Sequence, residues 1–153
     1  MSRASFKTSG DSPASVAEAL AAVRAAHWVF AGPGSPTYAL GVWQQSGMAA
    51  ALEDVLDRGV VVFASAAALT AGTHTVPVYE IYKVGERPSW REGMDLLSKA
   101  TGLQAAVIPH FDNAEGGTHD TRFCYLGERR LSILEEQLPA DTFILGIDEH
   151  TGI

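Results

Sequence analysis

Gly59-Val60-Val61-Val62-Phe63-Ala64-Ser65-Ala66-Ala67-Ala68 decides the fold. The run from Val60 to Ala64 is continuous, apolar and mostly β-branched, which is how a central strand of a parallel sheet reads when both its faces are covered. It stops at Ser65, and small, helix-tolerant residues follow. Strand, sharp turn and helix are therefore expected in immediate succession. A serine on such a turn holds its hydroxyl above the sheet edge. The next N–H, that of Ala66, opens a helix and can face an oxyanion. An ordinary helix N-cap is the competing reading of Ser65.

The pattern repeats on either side. Ser12-Pro13 starts a helix with proline at its first position, or Ser15 and Glu18 form a capping box; Val16, Leu20, Val23 and His27 keep helical spacing. Trp28 to Ala31 is a short strand ended by Gly32-Pro33-Gly34. Helical segments follow over 36–45 and 48–57. Val76 to Tyr82 alternates, and Pro77 confines it to an edge strand or an extended loop. A helix over 92–100, a buried strand over 104–109, a polar loop over 110–120, a long helix reaching Leu138 and a strand over 143–147 complete the chain. This alternation predicts a doubly wound α/β domain over 12–153, mostly parallel with helices on both faces, behind a flexible tail of residues 1–11. Sites in such sheets form at the carboxyl ends of the strands. Gly34, Ser65 and His110-Phe111-Asp112 are thereby directed to one crevice.

Composition narrows the function. The 153 residues carry 11 Lys and Arg against 18 Asp and Glu, a formal net charge of −7. That balance, with no basic cluster, speaks against nucleic acid as a partner. The most apolar run, Val60 to Leu69, is too short to span a bilayer, and the polar N-terminus lacks a signal-peptide core, so a cytoplasmic location is expected. One cysteine, Cys124, excludes a disulfide framework and a cysteine-based zinc site. No cofactor is implied.

Four motifs in order carry a resemblance over roughly residues 28–150. Phe63-Ala64-Ser65-Ala66-Ala67-Ala68 resembles the serine elbow of the peptidase E and cyanophycinase group, serine hydrolases of the class I glutamine amidotransferase-like fold. Phe30 to Ser35 resembles their glycine loop, Val107 to Asp112 the strand that delivers their histidine, and Leu145-Gly146-Ile147-Asp148-Glu149 a late strand motif of the group. The resemblance implies hydrolysis of an amide or peptide bond, with a preference for aspartyl bonds. It implies Ser65 as nucleophile, His110 as base, and Glu80, fifteen residues past the serine, as the acid that orients the histidine. Ala66 and Gly34 become the oxyanion donors, since Pro33 has no N–H. Arg122 and Asp112 become substrate-binding groups. The implied partner is a small peptide or amide. Relative to the group the chain is short at its N-terminus, so a homo-oligomer or a partner covering that side is expected.

Two departures keep a second reading open. The glycine that the group carries two residues after its serine is Ala67 here, and Pro33 interrupts the glycine loop. A non-catalytic domain used for binding or assembly is the alternative. The loop from His110 to Asp120 also gathers histidines and carboxylates, but without a fixed-spacing metal motif no metal is assigned. Cys124 reads as a packed thiol rather than the nucleophile of an amidotransferase.

Overall fold

A computed structural model describes residues 11–153. The expected flexible tail lies outside these residues except for Asp11. The first helix, α1 (Pro13–Ala25), starts where the sequence indicates: Ser12 Oγ accepts the Ser15 N–H at 3.2 Å, and Pro13 occupies the first turn. β1 (Trp28–Ala31) and β2 (Val60–Phe63) pair in parallel, joined through α2 (Pro36–Ser46) and α3 (Met48–Leu56). Gly47, at φ 80°, breaks the two helices apart. A second parallel pair is β5 (Ala105–Pro109) with β6 (Phe143–Ile147). β3 (His74–Thr75) and β4 (Arg91–Glu92) form a short antiparallel ladder. Parallel pairs interleaved with helices make this an α/β fold. No helix among the described residues is long and apolar enough to cross a membrane.

Two apolar clusters hold the elements together. The first joins Val23, Leu40, Leu52, Val55, Met94 and Leu96 under the inner face of β1 and β2, where Val29, Val61 and Phe63 point. The second joins Leu69, Val76, Ile81, Ile108, Leu126 and Leu134 around β5. β5 is the strand buried along its whole length. β2 departs from expectation here: one of its faces is covered, but Val60 remains 53% exposed. Its neighbours Trp28 and Phe30 stack on each other at 6.1 Å, each about half exposed.

Two more expectations are corrected. Residues 76–82 form no strand. Pro77 O accepts the Ile81 N–H at 3.1 Å, and a π-helical turn runs over Glu80–Val84 until Gly85. Val78 and Ile81, three apart, enter the core together, so tertiary packing overrides the β propensity of the segment. The long helix to Leu138 is also absent. Phe123, Cys124 and Tyr125 all take left-handed conformations (φ 60°, 55° and 66°), and the helix begins at Gly127 and ends at Glu135. The first two N–H groups of this turn donate to Phe111 O (3.0 Å) and His110 O (3.1 Å). Those bonds replace the intrahelical ones and tie the turn to the end of β5.

Packing also sets the neighbours of Ser65. The short helix α4 (Ala66–Leu69) lies against β5. A Cβ on Gly72 would sit 2.2 Å from Ala105 O, so only glycine lets the chain after α4 approach the start of β5 this closely. The carboxyl ends of β2 and β5 meet through the residues that follow them, Ser65 and His110.

Candidate active site

Ser65 follows β2 directly and precedes α4. Ala64 N–H donates to Ala31 O at 2.9 Å, and Ala67 N–H reaches back to Ala64 O at 3.2 Å. The chain must reverse within these residues, and Ser65 takes φ 54°, ψ −121°, a region non-glycine residues seldom occupy. His110, directly after β5, is likewise at φ 52°. Its carbonyl accepts from Cys124 N–H, and Phe111 N–H donates to Ile147 O at 3.1 Å, which fixes the histidine between β6 and the left-handed turn. A Cβ on Gly146 would meet the Phe111 ring at 2.5 Å, so this glycine seats the ring against β6.

The two side chains meet. His110 Nε2 lies 2.9 Å from Ser65 Oγ, and His110 Nδ1 lies 2.8 Å from Glu149 Oε1. A carboxylate only accepts, so the Nδ1–H donates to Glu149. Neutral His110 then has a lone pair at Nε2, where it accepts the Ser65 hydroxyl. The arrangement is a directed relay from serine through imidazole to carboxylate.

Glu80 does not complete it. Its Oε2 accepts from Thr37 Oγ1 at 3.0 Å, at the start of α2. The π-helical turn carries Glu80 toward that helix, while the carboxylate on His110 belongs to the residue two positions past β6. The sequence places Glu149 in a late strand motif and gives it no role in the site. The signal that finds it is its place beyond the carboxyl end of a parallel strand, beside the strand that ends in His110.

The remaining candidates separate as well. Asp112 Oδ1 accepts the backbone N–H of Glu149 at 2.8 Å, so its contact is with the relay's own carboxylate residue. Arg122 grips Asp120 with two bonds of 2.9 Å and reaches Glu128 at 3.3 Å. The guanidinium bonds and the Glu128 N–H hold the Asp120 carboxyl well below the usual carboxylate range. Gly34, Ser65, Ala66 and His110 line one cavity of about 330 Å³, together with Tyr79 and Lys83. Ala66 N–H is the first of a helix, so it has no intrahelical acceptor. Lys83 Nζ sits 3.9 Å above the Tyr79 ring. Cys124 borders the same cavity, but burial pushes its thiol up to about 12. It is therefore protonated and a poor nucleophile at neutral pH. No group of three or more metal-ligating side chains is assembled among the described residues.

Fold and site together define a class: an α/β protein with a serine, a histidine and a carboxylate gathered at the carboxyl ends of its parallel strands. Among solved structures, the chain is similar to a protein named as a candidate peptidase E from Listeria monocytogenes EGD-e, with a TM-score of 0.58 and 15% identity over 88% of this chain. It is also similar to a peptidase from an acI-B1 Actinobacterium, with a TM-score of 0.59 and 23% identity over 90% of this chain. The protein has a peptidase E-like fold. It spans 58% and 50% of those two structures. No family model matches the sequence, and no curated protein matches it.

Proposed function

We propose that the protein is a serine hydrolase that cleaves an amide or peptide bond through an acyl-enzyme. The observation that carries this reading is the relay from Ser65 through His110 to Glu149, with both bonds under 3 Å. His110 takes the hydroxyl proton as Ser65 Oγ attacks the carbonyl carbon, and returns it to the leaving nitrogen. Water then attacks the ester and releases Ser65. The negative oxygen of each tetrahedral intermediate faces Ala66 N–H and Gly34 N–H across the cavity. Glu149 holds the imidazole tautomer and the charge it acquires. The strained positive-φ backbone at Ser65 supports a nucleophile elbow, and the site's position at the strand ends supports a doubly wound, class I glutamine amidotransferase-like arrangement.

The cavity suits a small peptide or amide. For an aspartyl substrate, Lys83 is the cation lining the cavity, whereas Arg122 is engaged by Asp120 and Glu128. Incubation with a fluorophosphonate followed by peptide mass spectrometry tests the reading. Labelling is expected at Ser65 and lost in Ser65→Ala. Absence of labelling in folded wild-type protein leaves a non-catalytic binding domain in its place.

A further inference from the structure

Beside the reaction cavity lies a larger groove of about 870 Å³. The two share Tyr82 and Tyr125, whose rings stand 5.4 Å apart, so the tyrosine pair forms the threshold between them. Tyr125 is fixed in that place twice: its backbone is left-handed, and its hydroxyl donates to Glu115 at 2.8 Å. The groove carries both charge signs, but they are not equally available. Asp120 and Glu128 are engaged by Arg122, and Glu115 by Tyr125, which leaves Glu86 as the lining carboxylate without a side-chain partner among the described residues. On the opposite side of the account, Arg87 and Arg129 are exposed and make no ion pair or side-chain hydrogen bond among the described residues. Arg130 spends one guanidinium bond on Leu126 O. Across the threshold, Lys83 continues the same sign into the reaction cavity.

We propose that this groove is a second substrate subsite, continuous with the reaction cavity across Tyr82 and Tyr125, and that it holds an anionic peptide segment through Arg87 and Arg129. Guanidinium groups bind carboxylates in bidentate fashion, and the tilted rings of Tyr82 and Tyr125 give the main chain an aromatic surface to cross. The inference rests on the hydrolase reading for what happens at Ser65, and extends it. The preferred substrate is longer than the reaction cavity holds and carries acidic side chains beyond the bond that is cut.

Binding is measured separately from chemistry. Fluorescence anisotropy with labelled octaglutamate on Ser65→Ala protein is expected to give saturable binding that weakens as salt rises. Octalysine of equal length is expected not to bind. The Arg87→Gln/Arg129→Gln double variant, both positions exposed and hence safe for folding, is expected to bind octaglutamate at least tenfold more weakly. Absence of octaglutamate binding, or equal affinity in the double variant, overturns the subsite. Fluorophosphonate labelling of Ser65 does not depend on these arginines, so failure there sinks the hydrolase reading and leaves the groove standing.

Discussion

The backbone N–H of Glu149 donates to Asp112 Oδ1 at 2.8 Å, which latches the loop after β5 to the segment after β6. His110 lies two residues before Asp112, and its Nδ1 meets the carboxylate of Glu149. The latch and the relay therefore close one small ring through the same two segments. Removing Asp112 frees Glu149 to drift without touching Ser65 or His110. Asp112→Ala is expected to lower kcat about tenfold to a hundredfold, the range expected for a displacement near 1 Å, with little change in KM. Asp112→Asn keeps an acceptor oxygen and should restore most of the activity. Equal loss in both variants would show that the charge of Asp112, not its bond to Glu149, matters.

The identity of the orienting acid gives a sharper contrast. Glu149→Gln leaves a side chain that can present N–H to the imidazole and favour the wrong tautomer. A drop of about 10³–10⁴ in kcat is expected, as for other relays deprived of their carboxylate. Glu80→Gln preserves an acceptor for Thr37 Oγ1 and should leave kcat within about threefold, since ordinary surface-polar changes of this kind are small. The reverse ranking in a hydrolysis assay of both variants would return Glu80 to the relay.

Why the serine and the histidine are legible and the acid is not follows from what sequence encodes locally. Ser65 and His110 each end a run of apolar residues, so their places at strand ends could be read directly. The acid has no such local mark: the choice of Glu80 is what the resemblance implies from its distance past Ser65, whereas Glu149 lies 39 residues beyond His110. That choice depended on residues 76–82, which carry strand-like alternation yet fold as a π-helical turn because Val78 and Ile81 are drawn into one core. The left-handed run Phe123-Cys124-Tyr125 was equally hidden. None of the three is glycine or asparagine, and bonds to the histidine loop, the packing of Phe123 on Phe111 (4.6 Å) and the Tyr125 hydroxyl bond to Glu115 hold them there. Long-range contacts of this sort leave no periodicity in the sequence.

Asp120 provides a pH test of the loop that bounds the groove. Its carboxyl is held low first by the Arg122 guanidinium and next by the N–H of Glu128, at the start of the helix Gly127–Glu135. A carboxyl depressed in the folded state contributes stability that is fully present above the unfolded value, near 4, and is lost as pH falls toward the folded one. Thermal unfolding followed from pH 6 down to pH 2 should therefore show a steeper fall in Tm for wild type than for Asp120→Asn. At pH 6 the variant should melt lower. Parallel curves for the two proteins would mean that the Arg122 contact does not survive in solution.

Ala67 stands where the resemblance to the peptidase E and cyanophycinase group implies glycine, so a methyl group is added at the elbow. The structure accommodates it: Ala67 is 1% exposed, its N–H reaches Ala64 O, and its carbonyl accepts from Thr70 Oγ1 at 2.7 Å. Ser65 Oγ still lies 2.9 Å from His110 Nε2 with that methyl in place. Ala67→Gly thus has nothing to relieve. It deletes a buried methyl, worth about 0.8 kcal/mol by area, and adds about 1 kcal/mol of helix-propensity cost. A loss near 1–2 kcal/mol in urea unfolding is expected, with fluorophosphonate labelling of Ser65 unchanged within about threefold. Labelling that rises tenfold while stability falls would mean the methyl does strain the turn. The relay distance seen here would then understate how far Ser65 must move to react.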